Sequence, residues 1–320
     1  MKSILLVGCG NIGSRHLQGI LKIKLKLNIT VVDPSIKSIN IAKKRTKEID
    51  FGSNHNIFWK NSLTEINEIY DLCIISTNSN IRYSLISKLL KKQNKKFLIE
   101  KVVCQSKSEY IKLISLIKKS QANCWVNTSR RTNEFYKIIK NKKSNHPIFL
   151  NISGGDLGLG SNSIHFLDLF CWICNSTKIK LDGSNIIPKL YQNKRGNKFV
   201  EFAGIISGNI KNKFFITIAS LPNSTAPIKI DFIGNDFQIY VNETEQSIYQ
   251  FKNKKITNIP FKTDVTSQTT TKIVYDILQK NNCELSTVEF LAELHYELFR
   301  IFNNHIYMIT KQKLEKCPIT

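Results

Sequence analysis

The opening thirty-three residues restrict the possible folds of this chain more than any other stretch. Met1–Val7 (MKSILLV) is an apolar run of strand length, followed at once by Gly8-Cys9-Gly10-Asn11-Ile12-Gly13, which fits G-x-G-x-x-G. Ile12, Leu17, Ile20 and Leu21 then recur at helical spacing, and Ile29-Thr30-Val31-Val32 reads as a second buried strand ending on Asp33. Strand, glycine turn, helix, strand and acid in that order form a βαβ unit suited to a dinucleotide. Gly8 permits the tight turn, Gly10 lets a pyrophosphate approach backbone that has no Cβ, and Gly13 lets the helix lie on the sheet. Asn11 and Ile12 open the helix, where unpaired N–H groups favour phosphate. Asp33 stands where a carboxylate can accept hydrogen bonds from both ribose hydroxyls. It would repel a 2′-phosphate, and Pro34-Ser35 brings no arginine to receive one, so NAD is expected in preference to NADP.

The rhythm of strand and helix continues through residue 127. Ser38–Ile49 reads as a short basic helix, Asn56–Trp59 as a strand and Ile81–Lys92 as an amphipathic helix ending in lysines. Leu72–Thr77 is a buried strand whose polar end makes Ser76 and Thr77 candidate cofactor contacts, with a simple polar loop cap as the alternative. Phe97-Leu98-Ile99 stops abruptly at Glu100-Lys101, and a lysine at that end of a parallel strand is well placed for chemistry. The alternative is a solvated loop lysine. Ser108–Ser120 and Cys124–Asn127 complete the alternation, which predicts a doubly wound α/β domain over residues 1–127.

From residue 128 to 320 strands follow one another: Ile148–Ser153, Phe199–Ser207, Phe214–Leu221, Ile228–Ile233, Phe237–Asn242 and Ser247–Phe251. Lys211-Asn212-Lys213 and Asn235-Asp236 turn two of the pairs, and only one helix, Ser163–Cys174, interrupts early. The segments Asp264–Gln279 and Ser286 to about Lys313 read as helical, and these late helices are candidates to pack back on the first domain. This pattern predicts a second, α+β domain on a mostly antiparallel sheet.

Composition narrows the class. The chain has 320 residues, is 42% hydrophobic and carries a formal net charge of +23. The excess is mostly lysine spread along the whole length, with no arginine stripe, zinc-finger spacing or RNA-binding aromatic signature, so no specific nucleic-acid partner is expected. No apolar run reaches the ~18 residues of a membrane span, and the N-terminal run enters the glycine turn rather than a cleavage site. Eight cysteines without a regular framework suggest a reducing, cytoplasmic setting. Cys171-Trp172-Ile173-Cys174 is a C-x-x-C, but it sits at the end of an apolar helix with no second pair, so packing is expected and no metal. His16, just inside the first helix, is expected to pack or face solvent.

Three landmarks together, Gly8–Gly13, Glu100-Lys101, and Gly154-Gly155-Asp156 followed by His165-Phe166-Leu167-Asp168, resemble the Gfo/Idh/MocA oxidoreductases over essentially the whole chain. The resemblance implies NAD(P)-dependent oxidation or reduction of a sugar, cyclitol or nucleotide sugar by a homo-oligomer, and it assigns substrate binding and oligomerisation to the second domain. Lys101 matches the family's active-site lysine and His165 its acid/base residue, with the active site lying between them above the nicotinamide. Glu100 joins the cofactor contacts, and Asn127 and Arg130 match positions bordering the active site. Two positions depart from the family pattern: the proline after Glu-Lys is Val102, and the aspartate four residues before the histidine is Ser161. A serine can hydrogen-bond an imidazole but cannot supply the charge that stabilises imidazolium. His165 is therefore expected to remain the proton acceptor with Ser161 orienting it, unless Asp156 or Asp168 substitutes. The rival reading is a non-catalytic dinucleotide-binding sensor or scaffold.

Overall fold

The computed structural model describes residues 1–50, 55–142, 146–262 and 266–320. Contacts divide the chain into two compact units. The first comprises Met1–Cys104, Ser108–Asn127 and Asp264–Glu289, and the second Gln105–Lys107, Thr128–Thr263 and Phe290–Thr320. Asp264 and Val265, where the sequence begins its late helix, lie outside the described residues.

In chain order the elements begin with β1 (Lys2–Val7), α1 (Asn11–Leu21), β2 (Leu27–Val32), α2 (Ile36–Thr46) and β3 (His55–Lys60). They continue with β4 (Leu72–Ile75), α3 (Ser79–Lys91), β5 (Lys96–Ile99), α4 (Lys107–Ser120) and β6 (Asn123–Val126). After a 3-10 turn at Ser129–Thr132 come α5 (Glu134–Lys142), β7 (Ile148–Gly155), α6 (Leu159–Cys174), β8 (Lys180–Asp182), β9 (Tyr191–Gln192) and β10 (Val200–Glu201). The series β11 (Gly204–Ile210), β12 (Phe214–Leu221), β13 (Lys229–Ile233), β14 (Gln238–Asn242), β15 (Ser247–Lys252) and β16 (Lys255–Pro260) follows. The chain finishes with α7 (Thr266–Lys280), β17 (Ser286–Thr287) and α8 (Ala292–Thr310).

The first unit is a seven-stranded sheet in the order β17-β6-β5-β4-β1-β2-β3. Every pair is parallel except β17 on β6. Strand order reverses between β1 and β4, the switch point of a doubly wound sheet. The central strands β1 and β4 are mostly buried, because helices cover both faces of such a sheet at its centre. Leu17 and Ile20 of α1 and Ile273 and Ile277 of α7 enter the same apolar core. A Cβ on Gly19 would come within 2.4 Å of the Ser267 carbonyl, so α1 and α7 touch backbone to backbone.

The second unit is built on an eight-stranded sheet, β16-β15-β14-β13-β7-β12-β11-β8. Its pairs are antiparallel except β7 on β12. β12 alternates: Phe214, Ile216 and Ile218 are buried while Phe215, Thr217 and Ala219 stay partly open. That period of two is the mark of a sheet with one covered face, and α6 lies against β12 on the covered side.

Several expected boundaries move. Ser286–Thr287 forms a short strand on β6 rather than the start of a helix, and α8 begins at Ala292. Phe199–Ser207 is two strands, because Gly204 at φ +104° breaks the run and sits too close to Asn185 for any Cβ. A second early helix, α5, precedes β7, and α6 starts at Leu159, earlier than the apolar pattern suggests.

Candidate functional site

In a parallel sheet all carboxyl ends share one edge. Along that edge of the first unit lie Asn127 after β6, Glu100-Lys101 after β5, Ser76-Thr77 after β4, the glycine turn after β1 and Asp33 after β2. Gly8 has φ +87°, a conformation costly for residues with a Cβ. A Cβ on Gly13 would stand 1.9 Å from the Gly8 carbonyl oxygen and 2.7 Å from Ser76 Oγ, so only glycine lets α1 start there. A Cβ on Gly10 would meet nothing within 4 Å, which leaves the turn open for close approach. These features and the free first-turn N–H groups of α1 fit a dinucleotide pyrophosphate.

Asp33 is buried, and its two oxygens accept the N–H groups of Cys9 and Ser35, each at 2.8 Å. A carboxylate offers about four acceptor positions, so capacity remains for ribose hydroxyls while the same group pins the glycine turn. Burial first, and then Asp33, push the Cys9 thiol up to about 12, which keeps it neutral beside that carboxylate. Ser76 Oγ donates to the Gly8 carbonyl at 2.6 Å, and exposed Thr77 Oγ1 donates to the Asn78 carbonyl at 3.4 Å. From the last turn of α2, Arg45 donates to the Asn11 carbonyl at 2.8 Å and to Ser14 Oγ at 2.5 Å. The sequence shows a basic helix there but nothing that aims this residue at the first turn of α1.

Glu100 and Lys101 are both 6% exposed. Glu100 Oε1 lies 2.9 Å from His16 Nε2 and accepts from Asn127 Nδ2 at 2.6 Å, while His16 Nδ1 reaches Thr270 Oγ1 at 2.8 Å. Burial would raise the Glu100 carboxyl, but hydrogen bonds from His16 and Asn127, with the charges of His16 and Arg82, hold it down at about 2. The Glu100 oxygen that faces His16 and Asn127 is therefore spent on linking α1, β5 and β6. Arg82, 1% exposed, donates to the carbonyls of Thr77 and Val102 and so ties the segment after β4 to the segment after β5, next to Lys101. The Lys101–Val102 peptide bond is cis. His16 is thus packed inside the first unit, where its ring also bridges Glu100 and Thr270. The sequence cannot show this, because its partners are 84 and 254 residues away.

In the second unit α6 is buried along most of its length, with Ser161, Asn162, His165 and Trp172 as the partly open positions. Ser161 and His165 share a face at i, i+4 spacing. The helix starts after Gly158 (φ +72°) with no side-chain cap from that residue. Glu201 of β10 takes the place of a cap. Its Oε1 accepts Gly160 N–H at 2.5 Å, and its Oε2 accepts Ser161 Oγ–H at 2.5 Å and Ser161 N–H at 3.2 Å. A Cβ on Gly158 or Gly160 would come within 2.9 Å of this carboxylate. Asn193 Nδ2 donates to Ser161 Oγ at 3.1 Å.

The two aspartates that the sequence offers as substitutes are occupied. Asp168 is fully buried, 3.4 Å from Arg131 Nε, and exposed Asp156 accepts the Asn223 N–H at 2.8 Å. Arg130 is also committed: its guanidinium grips Glu243 at 3.0 and 2.7 Å and stacks 4.1 Å from the Phe166 ring centroid. Burial would raise the Glu243 carboxyl, but Arg130 outweighs it and holds the group ionised. Cys171 and Cys174 are buried in α6, and burial pushes the Cys171 thiol well up, which leaves it a poor nucleophile.

Residues 2–128 match the family model of the Gfo/Idh/MocA oxidoreductases, described as an oxidoreductase family with an NAD-binding Rossmann fold. No curated protein matches the chain in sequence. Among solved structures, a dehydrogenase (MviM) from Clostridium difficile is 16% identical, with 95% of this chain and 99% of that one covered at a TM-score of 0.71. An oxidoreductase from Agrobacterium radiobacter, in complex with NAD+, L-tartaric acid and magnesium, is 13% identical with 94% of each chain covered, also at 0.71. UDP-N-acetylglucosamine 3-dehydrogenase from Acidithiobacillus ferrooxidans is 11% identical, with 94% and 96% covered at 0.69. At such identities the structural likeness speaks for the fold, and the family model for the first unit. Residues 2–128 therefore belong to the Gfo/Idh/MocA oxidoreductases, whose NAD-binding Rossmann fold they carry.

Proposed function

We propose that the chain is an NAD-linked oxidoreductase moving hydride between nicotinamide and a carbinol or carbonyl carbon of a sugar, cyclitol or nucleotide sugar. The observation that carries this reading is Lys101, a buried lysine on the same sheet edge as the glycine turn and Asp33. Gly8, Gly10, Asn11, Ile12 and Gly13 would hold the pyrophosphate and Asp33 the ribose, with Ser76, Thr77 and Glu100 shaping the edge around them. The bound dinucleotide supplies the hydride chemistry. A carbinol must also lose its hydroxyl proton, and an imidazole nitrogen of His165 is suited to accept it near neutrality. The Lys101 ammonium stabilises negative charge on the reacting oxygen. Asn127, Arg130 and Ser161 border the substrate, Arg130 through the groups it holds in place. Eight free thiols fit a reducing, cytoplasmic compartment. The half-open sheet face, where Phe149 and Phe215 stack at 4.9 Å, fits a second copy of the chain.

The test is a panel of sugars, cyclitols and nucleotide sugars with NAD+, followed by NADH absorbance, beside NADH binding measured by fluorescence. Turnover with at least one panel member is expected. Lys101→Ala should lose about 100-fold or more in kcat with NADH affinity nearly unchanged. Near-normal kcat in Lys101→Ala would reduce Lys101 to a structural lysine. NADH binding with no turnover on any substrate would favour a dinucleotide sensor or scaffold, the reading that Val102 and Ser161 leave open.

A further inference from the structure

The first turn of α6 joins three residues distant in sequence: Ser161, Asn193 and Glu201. Gly160 N–H and Ser161 N–H belong to the positive end of a sixteen-residue helix, and that end disfavours a cation in the next turn. His165 lies in that next turn. The Glu201 carboxylate covers both N–H groups, and Ser161 Oγ–H donates to its Oε2 at 2.5 Å on the face that carries His165. Residues four apart on a helix have Cβ atoms about 5–6 Å apart, so Ser161, which holds the carboxylate, sits one turn from His165. Among the described residues, the other charged groups on the elements packed against α6 pair with one another or with α6, or face solvent. On the 3-10 turn, Arg130 pairs with Glu243 and Arg131 with Asp168 of α6 itself. On α5, Lys137 pairs with Glu134, Lys140 lies over Trp172, and Tyr136 donates to Glu243. On α8, Glu297 pairs with Arg300, His295 and His305 meet the carbonyls of Leu291 and Ile187, and Glu293 is exposed. β12 (FFITIASL) carries no ionisable side chain.

The geometry points to Glu201 as a positioning residue that supplies, from β10 and through Ser161, the negative charge that stabilises protonated His165. The acid is thereby moved off the helix: Ser161 provides the contact and Glu201 the charge. The proposal builds on the assignment of His165 as proton acceptor, but its test does not depend on turnover.

The full chain, labelled at its histidine rings, is titrated by NMR, and His165 is identified by the resonance lost in His165→Ala. Glu201→Gln should lower the His165 midpoint by about one pH unit, since a charge held by the residue one turn away in a partly open site acts on that scale. Glu201→Asp should recover most of the shift. Ser161→Asp in the Glu201→Gln background should restore it by putting the charge back on the helix. An unchanged midpoint in Glu201→Gln, or one that Ser161→Asp does not restore, overturns the proposal. The wild type gives a reading even if Glu201→Gln does not fold. Its His165 resonance should show a second, smaller step in acid as the neighbouring carboxylate takes up its proton, and a single step overturns the proposal. If His165→Ala keeps the neutral limb of the pH–rate profile while Glu201→Gln shifts the His165 midpoint, the acid/base assignment fails and the electrostatic coupling stands.

Discussion

The glycine edge of the first unit and the first turn of α6 are both helix starts that gather polar groups, yet they are built in opposite ways. At the edge, the decisive features all lie within one βαβ unit of the first thirty-three residues: Gly8 with its positive φ, Gly13 against the Gly8 carbonyl, and Asp33 on the Cys9 amide. In α6 the corresponding groups come from residues 158–161, 193 and 201, brought together only by folding. A contiguous site is readable in sequence and intolerant of single changes. A distributed site is invisible in sequence and buffered by overlapping hydrogen bonds.

The largest effect should come from adding one methyl group at the edge. In Gly13→Ala the new Cβ would stand 1.9 Å from a backbone oxygen that belongs to the turn itself. Overpacking costs about 1–3 kcal/mol and more where backbone is the neighbour, so the melting temperature should fall by several degrees and NADH binding should be lost. Gly10→Ala is the control, because its Cβ meets nothing within 4 Å. Stability should barely change while NADH affinity drops about tenfold or more, as it must if pyrophosphate comes close to that backbone. Equal losses of stability in the two variants would erase the distinction between packing and ligand approach.

This contrast also explains what the sequence revealed. The parallel sheet was legible because its strands are continuous apolar runs between helices of period 3.6, and β12 was legible by its alternation. β17 was not, because a two-residue strand such as Ser286–Thr287 exists only by pairing with β6. α5 was hidden by its brevity and its lysines. The same division runs through the candidate site. Gly8, Gly13, Asp33 and Lys101 could be named from local motifs. His16 and Glu201 could not, since their partners lie 84 and 40 residues away, and Arg82 could not, since its acceptors are backbone carbonyls that carry no side-chain signature.

The buried bridge below Lys101 should show itself in acid. The Glu100 carboxyl is held at about 2, below its unfolded value near 4.5. A depressed carboxyl stabilises the fold fully above the unfolded value, and the contribution fades as pH falls from about 4.5 toward 2. The shift corresponds to roughly 3 kcal/mol, an order-of-magnitude figure for a buried group. Urea unfolding across that window should show wild-type stability declining with a steeper slope than Glu100→Gln. Parallel slopes for the two proteins would mean that Glu100 is not held ionised by His16 and Asn127.

Cofactor choice is a smaller effect and tests whether local motif or folded neighbourhood decides at the edge. Asp33 argues for NADH, yet Arg45 stands at the first turn of α1, where no motif places an arginine. Its guanidinium is engaged by Asn11 and Ser14, so NADH should still bind about tenfold more tightly than NADPH, close to 1.4 kcal/mol. Calorimetry with both nucleotides decides the matter. Tighter NADPH binding that is lost in Arg45→Ala would hand the specificity to Arg45.

The smallest change is expected where the site is distributed. Ser161→Ala removes the hydroxyl that donates to Glu201 and accepts from Asn193. Glu201 keeps the Gly160 N–H at 2.5 Å and the N–H of the next residue, Phe202, at 3.0 Å, so the carboxylate stays at the helix start. Asn193 can still reach Glu201 at 3.4 Å. Loss of a hydrogen bond to a charged acceptor costs about 1.5–3 kcal/mol when nothing replaces it, and here the remaining donors should hold the cost near 1 kcal/mol. Turnover should fall a few-fold, through looser orientation of the helix face, and the neutral limb of the pH–rate profile should keep its place because the charge has not moved. A shift of that limb as large as the one expected for Glu201→Gln would mean that the hydroxyl, rather than the carboxylate behind it, sets the protonation of His165. The first turn of α6 would then be as dependent on a single residue as the glycine edge.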